Sequence, residues 1–161
     1  MTAEDPVKKP DLQGRPEIEK LVNTFYDRVR ADAVLGHIFD QVAQTNWETH
    51  LPKMYAFWET VMFRSGGFTG NPLAAHAKLV ALTDMGRDKF DHWLKLFCGT
   101  VDDLFVGEHA DHIKNCAADM ANVIFSRINQ VPDPRFDPAN LTPEQRERYA
   151  RYKSQPQPAT P

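Results

Sequence analysis

The chain has 161 residues, 42% of them hydrophobic, and a formal net charge of −3. That length supports one domain with a real core, and a nearly balanced charge without a basic block offers nucleic acid no footprint. The polar start Met1–Pro6 lacks the apolar segment of a secretion signal and no run of about 18 apolar residues follows, so neither secretion nor a membrane span is expected, while two cysteines suit a reducing cytoplasm.

Residues 1–15 are rich in Pro, Lys and Asp without periodicity and read as a mobile arm ahead of a domain over residues 16–130. Ile18, Leu21, Val22, Phe25 and Val29 then recur at helical spacing and predict an amphipathic first helix. A short segment with Val34, Leu35, Ile38 and Phe39 follows. The next helix is expected from about Asn46 to Phe63, with Trp47, His50, Leu51, Met54, Trp58 and Val61 on one face. Pro52 belongs in the first turns of such a helix, which should begin late or kink there.

After the flexible Ser65–Gly70 connection, Asn71 is a good N-cap and Pro72 a favored first helical residue. A helix of little more than two turns begins there and places Leu73, His76, Ala77 and Val80 on one face. An imidazole is thereby aimed at an apolar interior, either as a core histidine bonded to a backbone carbonyl or as a ligand. Two longer helices are expected from about Asp88 to Val106 and from about Glu108 to Asn129, joined at Gly107. The first turns Phe90, Trp93, Leu94, Phe97, Val101, Leu104 and Phe105 inward, and the second Ile113, Cys116, Ala117, Met120, Val123 and Ile124. No window alternates as a strand does, so the fold class is all-α, with crossed helices. Residues 131–161 hold seven prolines in 31 positions and form a proline-rich extension, with one short polar helix expected over 142–153 behind the capping sequence Thr142-Pro143-Glu144-Gln145.

Several stretches, in order, resemble the truncated hemoglobins of group III. Phe25-Tyr26-Asp27-Arg28-Val29 resembles the second globin helix with its distal tyrosine, and Leu35-Gly36-His37-Ile38-Phe39 the corner whose phenylalanine stacks on heme. Trp47-Glu48-Thr49-His50 with Phe57-Trp58 resembles the distal helix, and Gly70-Asn71-Pro72-Leu73 with His76 the start of the proximal helix. Phe90-Asp91-His92-Trp93-Leu94-Lys95-Leu96-Phe97 resembles the seventh helix. The likeness covers roughly residues 18–127 and implies a truncated globin fold. It departs from the family in a longer stretch between His76 and Trp93 and in the added proline-rich extension.

The resemblance implies heme b (iron protoporphyrin IX) as cofactor, with His76 as the metal ligand and Phe39, Tyr26, His50, Met54, Trp93 and Phe97 around it. Among rival axial ligands, Cys98 sits in apolar surroundings that disfavor a thiolate, and Met54 suits only a sixth position. The resemblance makes Tyr26 the main hydrogen-bond donor to a bound ligand and Trp93 a second, with plain core packing as the alternative for each. His50 stands as gate, minor donor or sixth ligand. Lys53, Arg64 and Lys78 are candidates for the heme propionates, or simply a solvated face. His109 and His112 have the spacing of a zinc half-site but lack two further ligands and read as a charged helix start. Cys98 and Cys116 are expected as free, buried thiols. His37 and His92 read as exposed or interfacial, and neither a phosphate loop nor a nucleophile elbow is present.

Three functions follow from this reading. The first is reversible binding of O2, CO, NO or other small ligands, for scavenging, sensing or detoxification rather than bulk oxygen transport. The second is a heme enzyme, with nitric oxide dioxygenase or peroxidase-like activity and an electron-donor reductase as partner. The third is a heme-free helical interaction domain.

Overall fold

The structure, a computed structural model, describes residues 8–129 apart from 65, 66 and 69, together with Pro143. The extension at 131–161 and the short helix expected over 142–153 otherwise lie outside the described residues. Among the described residues the chain is all-helical without a strand, and no helix is long and apolar enough to cross a membrane. The described residues form five α-helices, α1 (Arg15–Ala31), α2 (Trp47–Phe63), α3 (Pro72–Val80), α4 (Arg87–Leu104) and α5 (Glu108–Asn129), and a π-helical segment, His37–Val42. The pairs α1–α2 and α4–α5 pack together, α1 crosses onto α4, and α3 rests on α5.

Each helix starts and stops for local reasons. Pro16 opens α1, Glu17 lies in its first turn, and Arg28 and Arg30 lie in its last, all favorable to the helix dipole. The Asp32 carboxylate ends α1 by accepting the Val34 and Leu35 N–H groups through Oδ1, at 2.9 Å each. Asn46 and Asn71 cap α2 and α3 through side-chain bonds of 3.1 Å from Glu48 N and Ala74 N. Pro52 sits inside α2, which nevertheless starts at Trp47.

Gly36 carries the turn into the π-helical segment at close quarters, because a Cβ there would lie 2.8 Å from the Arg30 carbonyl oxygen. Gly107, at φ +146°, makes the corner between α4 and α5, and a Cβ there would collide with Asp11.

The core joins α1, α4 and α5 through Ile18, Leu21, Phe25, Phe97, Val101 and Ile113, all essentially buried. Within the stretch expected as an arm, Pro10–Leu12 is fastened to this core, while residues 1–7 lie outside the described residues. Leu12 is completely buried. Asp11 accepts the His109 and Ala110 N–H groups at 3.0 and 2.8 Å and so caps α5, and the Val106 N–H donates to Pro10 O at 3.0 Å. A carboxylate at a helix N-terminus satisfies donors that have no partner within the helix.

Other sequence expectations shift at the edges of the stripes. Val106 lies beyond the end of α4 and is exposed, as are Val34, Val80 and Val123. Ala77 faces solvent as well. Asn122 takes the buried place beside Val123, its Oδ1 accepting from Arg87 Nη1 at 2.5 Å. The two cysteines are free but half-buried rather than buried, and desolvation raises both thiol pKa values.

Candidate functional site

A short apolar helix that buries no residue completely brings His76 into the site. On α3 the side chains of Leu73, His76 and Leu79 are half-buried, and Leu79 packs with the cluster around Ile38, Met85, Phe90 and Ile124. The Nδ1 of His76 lies 2.5 Å from the Pro72 carbonyl oxygen. A carbonyl only accepts, so Nδ1 carries the proton there and Nε2 keeps its lone pair. Metal-ligating histidines are commonly oriented in this way by a backbone carbonyl.

His50 on α2 stands within electrostatic reach of His76. Burial, then Lys53 and His76, lower its pKa, which holds the imidazole neutral near pH 7. Its Nε2 is buried and has no hydrogen-bond partner among the described residues. A buried polar atom without a partner is costly, and its persistence asks for an explanation in the site's chemistry.

Aromatic rings from three elements frame His50. The Tyr26 ring from α1 lies 5.2 Å away at 85°, the Trp47 ring 5.5 Å away at 87°, and Phe39 from the π-helical segment 6.0 Å away. Phe39 and Trp47 stack on one another at 5.7 Å and 27°. Burial pushes the Tyr26 phenol pKa far above its ordinary value, so the hydroxyl keeps its proton at every physiological pH. Trp47 is anchored at the outside of this cage. Its indole N–H donates to Asp40 Oδ1 at 2.8 Å, and the Arg30 guanidinium lies 4.9 Å from its ring.

The remaining sequence-predicted residues divide. Met54 follows His50 by one helical turn and is half-buried, and Trp93 on α4 is half-buried as well. Trp93 reaches the cage through Phe25, whose ring it meets edge-on at 5.7 Å. Phe97 is completely buried, stacked against Trp93 at 5.3 Å and against Trp58 at 4.9 Å. Phe97 thus belongs to the core packed behind the half-buried Trp93 ring.

Sequence reasoning placed Trp47 on the inward face without a role, although its i, i+3 spacing to His50 was the available signal. His92, expected as exposed or interfacial, is 42% exposed in its side chain, and its Nε2 donates across the α1–α4 contact to Asp32 Oδ2 at 2.6 Å. The propionate candidates Lys53, Arg64 and Lys78 are all exposed, and Lys53 lies near enough to His50 to help lower its pKa. The helix start at His109 and His112 is used differently from a metal half-site. His109 Nδ1 donates to Leu12 O at 2.5 Å, and His112 Nε2 lies 3.5 Å from Cys116 Sγ. Among the described residues no group of three or more ligating side chains converges.

These residues fit a heme. A flat apolar ring needs one imidazole lone pair, apolar walls and, for small ligands, a polar group opposite. His76 Nε2 offers the lone pair, the half-buried Phe39, Met54, Leu73 and Trp93 offer apolar walls, and His50 Nε2 is a buried polar atom without a partner among the described residues.

The all-α fold and a cage of this composition define the globin class. The comparisons with known proteins narrow it. No family model matches the chain, but the group 3 truncated hemoglobin ctb of Campylobacter jejuni is 31% identical over 117 residues, covering 71% of this chain and 87% of that protein. The crystal structure of the group III truncated hemoglobin from Campylobacter jejuni superposes with a TM-score of 0.67 at 28% identity, over 74% of this chain and 94% of the other. The chain belongs to the group 3 truncated hemoglobins.

Proposed function

We propose that this chain is a heme b protein that binds O2, CO, NO and similar small ligands, with His76 as the proximal iron ligand. The observation that carries the reading is the pairing of two imidazoles from α2 and α3. Each retains an uncommitted ring nitrogen, and His76 lies close enough to His50 to help lower its pKa. When bound, the heme supplies the iron at which a diatomic ligand is held.

The chain's own residues set how firmly that ligand stays. The Pro72 carbonyl fixes the tautomer of His76 and so leaves Nε2 free to hold the iron that a bound heme would supply. The buried Tyr26 hydroxyl donates to the ligand, Trp93 supplies a second N–H, and His50 remains neutral as a gate or minor donor. Hydrogen bonds to partly charged ligands are worth about 1.5–3 kcal/mol each, or roughly ten- to hundredfold in release rate. Such slow release suits scavenging, sensing or detoxification better than bulk oxygen transport. The two free thiols, Cys98 and Cys116, favor a reducing, cytoplasmic setting. The working domain is residues 16–130 with the short segment Pro10–Leu12 fastened to it, ahead of the proline-rich sequence 131–161.

Absorption spectra of the ferric, ferrous and carbonyl forms test this reading. A Soret band is expected in the purified protein, lost or strongly altered in His76→Gly and partly restored by added imidazole. A His76→Gly protein with an unchanged ferrous–carbonyl spectrum overturns it.

One observation favors a peroxidase-like second reading. The neutral, unpartnered His50 Nε2 is poised to accept a proton from hydrogen peroxide admitted to the cage. Steady turnover with peroxide and a reductant, slowed in His50→Ala, is expected on that reading. Purely stoichiometric oxidation rules it out.

A further inference from the structure

A shallow groove of about 230 Å³ opens between α1 and α4, away from the histidine cage, and is lined by Arg28, His92, Lys95, Leu96 and Gly99. Its charge is unequally spent. Arg28 uses Nη1 for both of its bonds, to Thr100 Oγ1 at 3.2 Å and Asp103 Oδ2 at 2.8 Å, so the rest of the guanidinium is uncommitted among the described residues. His92 answers Asp32. Lys95 is exposed and makes no ion pair among the described residues. The two carboxylates nearest the groove, Asp103 and Asp32, thus already have partners, and Lys95 is left as the unpaired charge beside the open edge of the Arg28 guanidinium. The groove's floor is apolar, formed by Leu96 and by Gly99, where a Cβ would meet nothing within 4 Å.

A site with cationic donors above an apolar floor selects an anion with an apolar body. The volume falls below the range of roughly 300–1,000 Å³ typical of sites for drug-sized ligands, which restricts the occupant to a small molecule. We propose that the groove binds a small organic carboxylate, its oxygens held by Lys95 and the outer edge of the Arg28 guanidinium and its body lying over Leu96 and Gly99. Such a ligand bridges α1 two residues beyond Tyr26 and α4 two residues beyond Trp93.

The test is a titration of the full chain, reduced and under carbon monoxide so that no anion competes at the heme, with benzoate followed through the amide resonances of residues 95–100. Saturable shifts are expected, with affinity about tenfold weaker in Lys95→Gln, where one charge-assisted bond is lost. In Gly99→Leu, which fills the floor, binding is expected to disappear. Inorganic phosphate, which carries charge without an apolar body, is expected to bind at least about tenfold more weakly than benzoate. Absence of saturable benzoate shifts, equal affinity for phosphate, or unchanged affinity in Lys95→Gln overturns the proposal. Lys95 is exposed, so that variant keeps the test decisive even if Gly99→Leu perturbs folding.

Discussion

The His92 imidazole on α4 and the Asp32 carboxylate at the end of α1 meet with Nε2 2.6 Å from Oδ2. The other oxygen of the same carboxylate accepts the N–H groups of Val34 and Leu35. One aspartate therefore shapes the turn that leads to Phe39 and ties it to the helix that carries Trp93. The distal cage owes its geometry to contacts well outside it.

Acid stability should reveal this aspartate and its counterpart Asp11. In both, burial acts to raise the pKa, but hydrogen bonds from backbone N–H groups, joined for Asp32 by His92, outweigh it and hold the carboxyls below the ordinary value of 3.8. A depressed folded-state pKa contributes stability that is fully present above the unfolded value and lost as pH falls through the folded one. Thermal melts should therefore show a steep loss below about pH 4. Asp11→Asn and Asp32→Asn should be less stable at neutral pH and flatter in acid, with Asp11→Ala costing about 1–2 kcal/mol as loss of a helix cap does. An acid slope identical to that of the unmodified protein would contradict the assignment.

Tyr26→Phe removes one hydroxyl and leaves the packing of the ring. Stopped-flow measurement of O2 release should show a rise of roughly ten- to hundredfold. An unchanged release rate would mean that the hydroxyl does not face the ligand.

Phe97→Ala separates a core residue from a pocket residue. Opening a cavity at a completely buried phenylalanine stacked between two tryptophans should cost about 3–5 kcal/mol in denaturant unfolding. The positions of the heme absorption bands in the folded fraction should stay where they were. Band shifts with little loss of stability would place Phe97 in the pocket after all.

Gly36→Ala probes the close approach of the π-helical segment to α1. Its methyl group would crowd the Arg30 carbonyl, which lies 2.8 Å from the Cβ position, and a backbone acceptor cannot swing aside as a side chain can. A loss of about 1–3 kcal/mol in chemical unfolding is expected.

Much of this architecture was legible because helices advertise themselves through periodicity and caps. Asn71 caps where its side chain suggested, and Ile18, Leu21, Val22, Phe25 and Val29 are all buried on one face. What escaped notice depends on tertiary packing. Phe97 and Trp93 share an apolar stripe, and periodicity does not say which of two inward rings fronts a pocket. Val123 and Asn122 exchange roles because Arg87, distant in sequence, satisfies the buried amide. The bonds from Asp11 to residues 109 and 110 span almost the whole domain and leave no local pattern in an aperiodic stretch.

That last connection bears on how the protein can be shortened or tagged. Pro10 to Leu12 act as a clasp across the corner where α4 turns into α5, with Lys9 Nζ adding a bond to Asp102 O at 2.8 Å. A minimal globin cut at the start of α1 would lose that clasp and leave the α5 amides to water. Fusion partners at this end therefore belong ahead of Lys9, so that the fastening remains whole.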